Sequence, residues 1–514
     1  MRALLEEAIA YEVADKAIPS ISCALFDTSG IVERGDFAGP GVVCPTSRSQ
    51  FRIGSISKMF TALAVMREVE AGRLDLDADV SRYLGTFDPQ WEGERAKVTL
   101  RRLLSHRSGL TREAGRGHYL SDDPVSLADS VNSLRKTVLK AAPDGETFRY
   151  SNAGYALIGA CIEAASGRSY GSYLATKVLA PLGLETISAG SGPRLQPAKM
   201  WGLEGDREAP RFNLGCVPAG GLVATIDELA QFGRALLSDP VIVSRERLAA
   251  MWQVPDGSPT GYGQGFMIGT LDGHRTVGHG GVVYGYASEL VLLPEAGLGI
   301  AMVATLDATN ETVIRLCRYA LGLVLAERGQ GKQPAPPPRL SPPTDRHLTL
   351  AGWYEAADRA RIELRAVGGE LVLIERLTPL RIRPLDARRF ALDGRLRGEG
   401  TAHPSRLIEW DGVATLRWRD VTWRRVEPRE VSSPFAAHLG IHAPHFLPSR
   451  LTASGNGLCC VLEEFFPHDC VPLGGNRFRL GRGMYEDEIL ELSVTSAAGK
   501  DAIRVGDMVL ERLS

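Results

Sequence analysis

A proline-rich stretch is the feature that most constrains how this chain can fold. Half of the segment from Lys332 to Pro343, KQPAPPPRLSPP, is proline. Proline has a fixed φ and no backbone N–H donor, so such a run enters neither a helix nor a central strand and stays extended and semi-rigid. We therefore predict a linker at 332–343, which follows one domain at 1–331 and precedes others downstream.

The region before the linker has a mixed pattern of strands and helices. A hairpin signal, Asp27-Thr28-Ser29-Gly30, separates two strand-like runs near the start, and two more runs lie near the end. Strand pairs at both ends of a region can join one antiparallel sheet. We predict an α/β (α+β) domain in which helices flank an antiparallel sheet. The predicted strands are 21–26, 31–37, 286–293 and 298–304, and the predicted helices are 55–71, 126–140 and 153–166.

The region after the linker has a different sequence pattern, in which short strand-like segments are separated by turns. This spacing is typical of small antiparallel barrels. We predict two β-barrel domains, at 344–430 and 431–514. The predicted strands are 361–365, 370–374, 380–384, 406–410, 414–418 and 422–426 in the first, and 458–464, 477–480 and 489–494 in the second.

Charge and hydropathy exclude several classes of function. The chain has 59 Lys and Arg against 61 Asp and Glu and no basic run, which excludes a typical nucleic-acid reader. Its longest apolar stretch, from Ala296 to Leu306, is too short to span a bilayer. The start of the chain carries several acidic side chains where a signal peptide needs an apolar core. We expect a cytoplasmic protein with no nucleic-acid and no membrane partner.

Cysteine and histidine spacings give no metal pattern. None of the eight cysteines forms C-x-x-C, so buried free thiols in a reducing compartment are expected. A histidine group near the end of the chain also fails to match a compact zinc pattern. We predict no metal and no cofactor. The histidines of that group are His438, His442, His445 and His468.

The helix predicted at 55–71 begins with the sharpest local pattern, Ser55-Ile56-Ser57-Lys58. Residues three apart project from one side of a helical turn, so Ser55 and Lys58 can meet. A serine nucleophile needs a neighbouring base, and a lysine in apolar surroundings loses basicity and can accept a proton. The alternative is a capped helix with a surface lysine, because S-x-x-K alone is a short pattern.

Two later segments favour the catalytic interpretation. Tyr150-Ser151-Asn152 directly precedes a helical run, and Gly278-His279-Gly280-Gly281 precedes a strand-like run. Together with Ser55–Lys58, in this order, they resemble the S-x-x-K, Y-x-N and K/H-x-G motifs of the penicillin-recognising serine hydrolases. This family includes class C-type β-lactamases, D,D-peptidases, D-aminopeptidases and related esterases. The resemblance covers about residues 1–325 and implies a β-lactamase-like catalytic domain; the layout of D-aminopeptidases implies lipocalin-like barrels after it.

Two companion segments are also similar to this family. They are Leu103–Leu110, LLSHRSGL, and Pro218–Leu222, PAGGL. His106 lies in the first of them, and we expect it to have a structural role that fixes a loop.

The resemblance implies a role for each matched residue. Ser55 would attack a carbonyl and become acylated. Lys58 and Tyr150 would share the proton, with Tyr150 as base during acylation and as acid toward the leaving group. Asn152 would orient the substrate amide or Lys58.

The H-G-G segment has an implied role in substrate binding. Gly280 and Gly281 would let substrate approach the backbone, and the N–H groups of Val282 and Ser55 would form an oxyanion hole. His279, a catalytic candidate, stands where the β-lactamases have a lysine that attracts the carboxylate of the drug. This departure resembles the D-aminopeptidase and esterase branches.

Several functions remain open. The first is a serine hydrolase that cleaves amide bonds, releasing D-residues from the N-terminus of short peptides. The second is a carboxylesterase on the same machinery. A β-lactamase, a D,D-carboxypeptidase, a peptide-cyclising thioesterase and a non-enzymatic binding protein are less favoured. The substrate would be a small molecule or short peptide, and the sequence leaves open whether the chain forms a homo-oligomer.

One acidic segment in the last predicted domain is a further candidate. Glu463 to Cys470 follows a predicted strand and combines aromatic with acidic side chains at a predicted loop. By resemblance to D-aminopeptidases, a loop of the last barrel would enter the active site. Asp469 would then pair with a substrate ammonium group. The alternative is an ordinary surface hairpin.

Overall fold

The computed structural model divides into two compact units, and the boundary between them along the chain falls within the proline-rich stretch. The first unit comprises the described residues up to Pro336 together with Gly506–Met508, and the second comprises the other described residues from Pro337 onward. The structure describes residues 1–121, 125–190, 192–200, 206–211, 213–238, 241–337, 339–358, 360–375, 378–392, 407–427, 435–444, 448–454, 457–463, 466–481 and 484–513.

Seven antiparallel strands form the central sheet of the first unit. Strands that are far apart in sequence lie side by side in its middle, because Ser20–Asp27 pairs with Leu298–Ala304 and places Ile21 opposite Ala304. The antiparallel sheet predicted from the two strand pairs is therefore confirmed. Its spatial order is Gly261–Tyr262, Met267–Leu271, His274–Val283, Tyr286–Leu293, Leu298–Ala304, Ser20–Asp27 and Ile31–Ala38.

Helices cover both faces of the central sheet. Arg2–Asp15 and Asn310–Glu327 pack on one face, where Ile9, Ile300 and Leu316 belong to one buried cluster. Ile226–Leu237 packs on the other face. The remaining α-helices are Ser57–Glu70, Ser81–Leu84, Leu100–Leu104, Leu127–Ser133, Asn152–Ser166, Tyr170–Leu174, Val217–Gly220 and Arg245–Met251, with 3₁₀ turns at Gly54–Ile56, Ala180–Leu182 and Pro294–Ala296 and a π-helical segment at Ala175–Leu179.

Small sheets complete the first unit. One is three-stranded, and its strands in spatial order are Gln50–Arg52, Leu222–Thr225 and Ser188–Ala189. The other small sheets are two-stranded: Gln90–Trp91 with Glu94–Arg95, and Lys199–Met200 with Arg207–Glu208.

The helix predicted at 126–140 is half its expected length. It begins with a capping box between Ser126 and Asp129 and ends at Ser133. The following backbone instead bonds to Gln90, whose N–H donates to the Thr137 carbonyl while its carbonyl accepts from the Leu139 N–H. Tertiary pairing has overridden the helical pattern there.

The second unit contains the two predicted barrel-like sheets. The first is a closed eight-stranded barrel filled with apolar side chains, among them Leu371, Ile382 and Trp418. A short helix, Asp345–Leu348, precedes it. Its strands are Gly352–Glu355, Arg361–Val367, Glu370–Glu375, Thr378–Pro384, Arg389–Leu392, Leu407–Trp410, Thr415–Trp418 and Val421–Val426.

The second barrel-like sheet also has eight strands and is nearly closed. A bridge between His442 and Arg512 joins its first strand to the residue after its last. A 3₁₀ turn, Ala436–His438, precedes it. Its strands are Gly440–His442, Ser449–Ser454, Gly457–Leu462, Phe466–Gly474, Arg477–Leu480, Ile489–Thr495, Asp501–Val505 and Met508–Glu511.

The acidic segment of this sheet differs from its prediction. Asp469 is exposed but lies within the Phe466–Gly474 strand, opposite Cys459, and not in a loop. Glu463 is buried and accepts a hydrogen bond from the Tyr485 hydroxyl at 2.5 Å. The role of Asp469 toward a substrate ammonium group stays a prediction.

The described residues show neither a membrane-spanning helix nor a metal cluster. None of the helices there combines the length and the hydropathy needed to cross a bilayer. Within the same ranges, no three His, Cys, Asp or Glu side chains are grouped as metal ligands would be. Of the C-terminal histidines, His442 and His468 are buried, and His445 lies outside the described residues.

Candidate active site

The S-x-x-K pattern begins the most deeply buried helix of the first unit. Ser55 lies in the 3₁₀ turn Gly54–Ile56, and Lys58 lies in the first turn of the Ser57–Glu70 helix that continues it. Every side chain from Ser57 to Met66 is buried, because the helix is apolar on almost all sides. This burial fixes Ser55 at the end of a rigid element, and Ser55 itself stays partly exposed.

Lys58 is fully buried and donates three hydrogen bonds. Its Nζ lies 3.0 Å from Ser55 Oγ, 2.7 Å from Asn152 Oδ1 and 2.6 Å from the Ala219 carbonyl oxygen. Three acceptors match the three N–H donors of an ammonium group. The surroundings of Nζ are therefore polar, and the apolar setting expected from the sequence is wrong for the amine itself.

Tyr150 contacts Ser55, and Asn152 contacts Lys58, from the start of another helix. The Tyr150 hydroxyl lies 2.8 Å from Ser55 Oγ and donates to it. Ser151 caps the Asn152–Ser166 helix by accepting from the Gly154 N–H at 2.9 Å. The cap fixes where the helix starts, and so it sets the positions of the residues on either side of Ser151. The Ser55, Lys58, Tyr150 and Asn152 side chains meet as the sequence predicted.

The H-G-G segment passes close beneath Ser55. A Cβ on Gly281 would lie 2.1 Å from the Ile53 carbonyl oxygen, and a Cβ on Gly54 would lie 2.6 Å from the Val282 N atom. Gly54 also has a φ of +50°, in the left-handed region. Glycine is thus required on both sides of this crossing. The crossing brings the Val282 N–H next to the turn that carries Ser55, as an oxyanion hole requires.

His279 is buried, and both of its ring nitrogens have partners. Nδ1 lies 2.5 Å from the Gly280 carbonyl oxygen, and Nε2 lies 2.9 Å from the Tyr262 hydroxyl. Since the carbonyl can only accept, Nδ1 carries the proton and Nε2 accepts from Tyr262. Burial, reinforced by the charge of Lys58, lowers the pKa of His279 to about 3. The residue is therefore neutral near pH 7, and it packs 6.4 Å from Tyr150, ring centroid to centroid.

Glu113 is a site residue that the sequence analysis missed. It is buried, and its Oε1 accepts a hydrogen bond from Asn152 Nδ2 at 2.5 Å. Burial raises its pKa, while Arg112, Asn152 and Lys58 act in the opposite direction. Its only signal in the sequence was its place shortly after Leu110, at the end of the first companion segment.

Ser55 and Glu113 line one small cleft. Its other walls combine polar and apolar side chains. Asn152 and Val282, two of the predicted substrate-binding residues, line it, whereas His279, Gly280 and Gly281 are not among its lining residues. The remaining lining residues are Tyr119, Leu214, Cys216, Ala219, Gly220 and Val283.

His106 packs against the Tyr150 ring, in agreement with the structural role expected for it. Its ring lies 4.1 Å from the Tyr150 ring, centroid to centroid, and its Nδ1 accepts from the Ser151 N–H at 3.1 Å. Burial holds the pKa of His106 well below its ordinary value, so its ring is neutral.

Known proteins resemble this chain in sequence. Residues 5–323 match the family model described as Beta-lactamase. Penicillin-binding protein 4 of Amycolatopsis lactamdurans is 29% identical over 362 residues, which cover 64% of this chain and 88% of that protein.

Two solved structures are similar in fold. The octameric penicillin-binding protein homologue from Pyrococcus abyssi superimposes with a TM-score of 0.59 at 23% identity, over 90% of this chain and 98% of its own. The D-amino acid amidase from Ochrobactrum anthropi gives a TM-score of 0.55 at 22% identity, over 64% of this chain and 100% of its own. With the family model matched over more than half of its length, the chain belongs to the beta-lactamase family of serine hydrolases.

Proposed function

We propose that this protein is a serine amidohydrolase that forms an acyl-enzyme at Ser55 and cleaves the amide bond of short substrates with a free α-amine, as a D-aminopeptidase does. The observation that carries the proposal is the buried Glu113 carboxyl, which lines the same cleft as Ser55. A carboxylate beside a nucleophile provides a counter-charge for a substrate ammonium group.

Acylation begins with a proton transfer between two atoms already in contact. Tyr150, in its phenolate form, takes the Ser55 proton across the 2.8 Å contact, and Oγ attacks the substrate carbonyl. The N–H groups of Ser55 and Val282 bind the oxyanion that forms. When the C–N bond breaks, Tyr150 returns the proton to the leaving amine. Water then attacks the ester by the same proton route, which releases the acid and restores Ser55.

Lys58 acts as a fixed cation in this scheme. Its ammonium group contacts Ser55 Oγ and lies 4.8 Å from the centroid of the Tyr150 ring. It therefore stabilises negative charge on either oxygen as the proton moves between them. Its contacts with Asn152 and Ala219 hold the ammonium group in place, so no reorganisation is needed when charge develops.

Glu113 would recognise the substrate amine through charge. An α-ammonium group in the cleft would favour the ionised carboxylate, offsetting the burial that raises the pKa of Glu113. A hydrogen bond between charged partners contributes about 1.5–3 kcal/mol, or roughly 10- to 150-fold in binding. Asn152, which bonds both Glu113 and Lys58, would set the distance between the amine subsite and the nucleophile.

The D configuration of the substrate is part of the proposal. The D-amino acid amidase from Ochrobactrum anthropi shares the fold, and the activity in its name is the one that this site would perform. A neutral His279 argues against a β-lactamase, because a β-lactam carboxylate would find no cation at this position. A carboxylesterase is the second candidate, favoured by the apolar Leu214 and Val283 in the cleft.

The test compares four substrates with three enzymes. The substrates are D-alanine p-nitroanilide, its L enantiomer, its N-acetylated form and p-nitrophenyl acetate; the enzymes are wild type, Glu113→Gln and Ser55→Ala. Glutamine can still accept from Asn152, so this variant removes charge while keeping the hydrogen bond. We expect Glu113→Gln to lower kcat/KM for the free-amine substrate by about 10- to 100-fold and to spare the acetate ester.

Four outcomes would contradict all or part of the proposal. Equal losses on the free-amine and N-acetylated anilides would mean that Glu113 only orients Asn152. Turnover of the ester with no turnover of either anilide would favour the carboxylesterase. Full activity in Ser55→Ala would exclude the acyl-enzyme altogether. A preference for the L anilide would overturn the stereochemistry alone.

A further inference from the structure

We propose that Arg112 is a positioning residue for the reaction, a second fixed cation beside Lys58 that acts on Tyr150. The inference rests on the proposed acyl-transfer chemistry of Ser55, but not on the identity of the substrate. Two observations support it: the hydrogen bonds that anchor the Arg112 backbone, and the identity of the groups that surround the Tyr150 ring.

Arg112 is anchored to the segment that carries Tyr150. Its carbonyl oxygen accepts from the Asn152 N–H at 2.8 Å and from the Ala153 N–H at 3.1 Å. The first turn of a helix has N–H groups without intrahelical partners, and Arg112 satisfies two of them here. The loop carrying Arg112 and the start of the helix therefore move as one piece.

The Arg112 guanidinium lies close to the tyrosine ring. Its Cζ atom is 5.2 Å from the Tyr150 ring centroid, almost as near as Lys58 Nζ at 4.8 Å. The side chain is only 13% exposed, so solvent screens its charge weakly. Its Nε lies 3.7 Å from Glu113 Oε1, which keeps the guanidinium near both the carboxyl and the tyrosine.

The other titratable groups around Tyr150 are neutral in the described part of the site. His106 packs at 4.1 Å, His279 at 6.4 Å and Tyr262 at 6.3 Å, measured between ring centroids. Burial keeps both histidines uncharged at neutral pH and raises the pKa of Tyr262. Among the described residues, the cations that lie over the Tyr150 ring are Lys58 and Arg112, and Glu113 offsets part of the charge of Arg112.

A cation beside Tyr150 has a definite kinetic consequence. Acylation requires the phenolate form, and positive charge a few ångströms away favours that form. Removing one of two such charges should therefore shift the rising limb of the pH–rate profile to higher pH, by roughly one pH unit for a weakly screened charge at this distance. Below the limb, the rate should fall by about tenfold, since one pH unit is a factor of ten in the active form.

The experiment measures kcat/KM against pH with p-nitrophenyl acetate, which has no amine and so does not depend on Glu113. The variants are Arg112→Met, which removes the charge, and Arg112→Lys, which keeps it. The matched control is Arg107→Met, which removes a buried arginine that pairs with Asp256 at 2.9 Å and lies over Phe148. Thermal unfolding of each variant checks that it is folded.

In Arg112→Met, we expect the rising limb of the pH–rate profile to shift to higher pH. In Arg112→Lys and in Arg107→Met, we expect it to stay at its wild-type position. A folded Arg112→Met enzyme with the wild-type profile would overturn the inference, as would a rate that falls equally at every pH. If Arg112→Met does not fold, an Arg112→Lys profile shifted by a full pH unit would overturn it too, and an unshifted one would support it. Activity that survives in Ser55→Ala would instead refute the proposed function.

Discussion

Replacing Gly281 with alanine should damage catalysis far more than stability. Its new Cβ would lie 2.1 Å from the Ile53 carbonyl oxygen, where ordinary contact needs at least 3.4 Å. The two backbones must then separate by roughly 1 Å, since neither is a flexible side chain and a packed interior has no spare room. This displacement falls between the Ser55 turn and the Val282 N–H, the two halves of the proposed oxyanion hole.

The magnitude follows from that displacement. A shift of about 1 Å in reacting groups can cost about 100-fold, and loss of one oxyanion donor costs about 10²- to 10³-fold in kcat. Overpacking of this kind costs about 1–3 kcal/mol in the free energy of unfolding. We expect kcat with p-nitrophenyl acetate to fall at least 100-fold, and urea denaturation to show a folded enzyme.

A second glycine of the same sheet provides the control. A Cβ on Gly269 would meet only the Thr276 hydroxyl, at 2.8 Å, and this side-chain atom can rotate away. Gly269→Ala should therefore keep kcat within about threefold, as expected for a substitution that leaves the site geometry intact. The reasoning would be refuted by a folded Gly281→Ala enzyme whose kcat is also within threefold of wild type.

The remaining predictions concern single residues. Ser55→Ala should lower kcat by several orders of magnitude and abolish the mass increase on incubation with a fluorophosphonate; labelling of the variant would place the nucleophile elsewhere. Lys58→Arg should not retain wild-type activity, because a planar guanidinium cannot match the three acceptors that converge on Lys58 Nζ. A kcat near that of the wild type would show that positive charge alone suffices. His279 binds a proton near pH 6.5 when unfolded but only near pH 3 when folded, so its burial costs stability as pH falls between these values. His279→Gln should remove about 2 kcal/mol of the decrease in unfolding free energy between pH 7 and pH 5, measured with urea; an unchanged pH dependence would contradict the assignment.

The parts of the site that the sequence predicted are those whose geometry is local. Ser55 and Lys58 are three residues apart on a helical turn, and Tyr150 and Asn152 flank one helix cap, so each pair is fixed by its own backbone. The order of the three motifs then indicated that the pairs belong to one site. The Leu298–Ala304 strand was predicted for a similar reason, because its apolar run is continuous.

The features that could not be predicted from the sequence depend on contacts between distant segments. Glu113 is an acidic residue in a loop, and only the folded chain brings it to Asn152. The neutral state of His279 depends on its burial and on the charge of Lys58, which the fold brings close to it. The Gly352–Glu355 strand was missed because it is defined by its pairing with Arg361–Val367 and with the distant Val421–Val426 strand.

The pairing in the middle of the central sheet has a consequence for synthesis of the protein. Ser20–Asp27 emerges from the ribosome early, but its partner Leu298–Ala304 is made only after most of the first unit has been translated. At a translation rate of about 5–20 residues per second, the apolar edge of Ser20–Asp27 stays unpaired for roughly 15–55 s before the sheet can close. The Gly54–Ile56 turn that carries Ser55 must also wait, because it packs against His274–Val283 and Tyr286–Leu293, two strands that are made late. The nascent chain should therefore depend on chaperones during this interval, and slow translation should favour aggregation through the exposed edge.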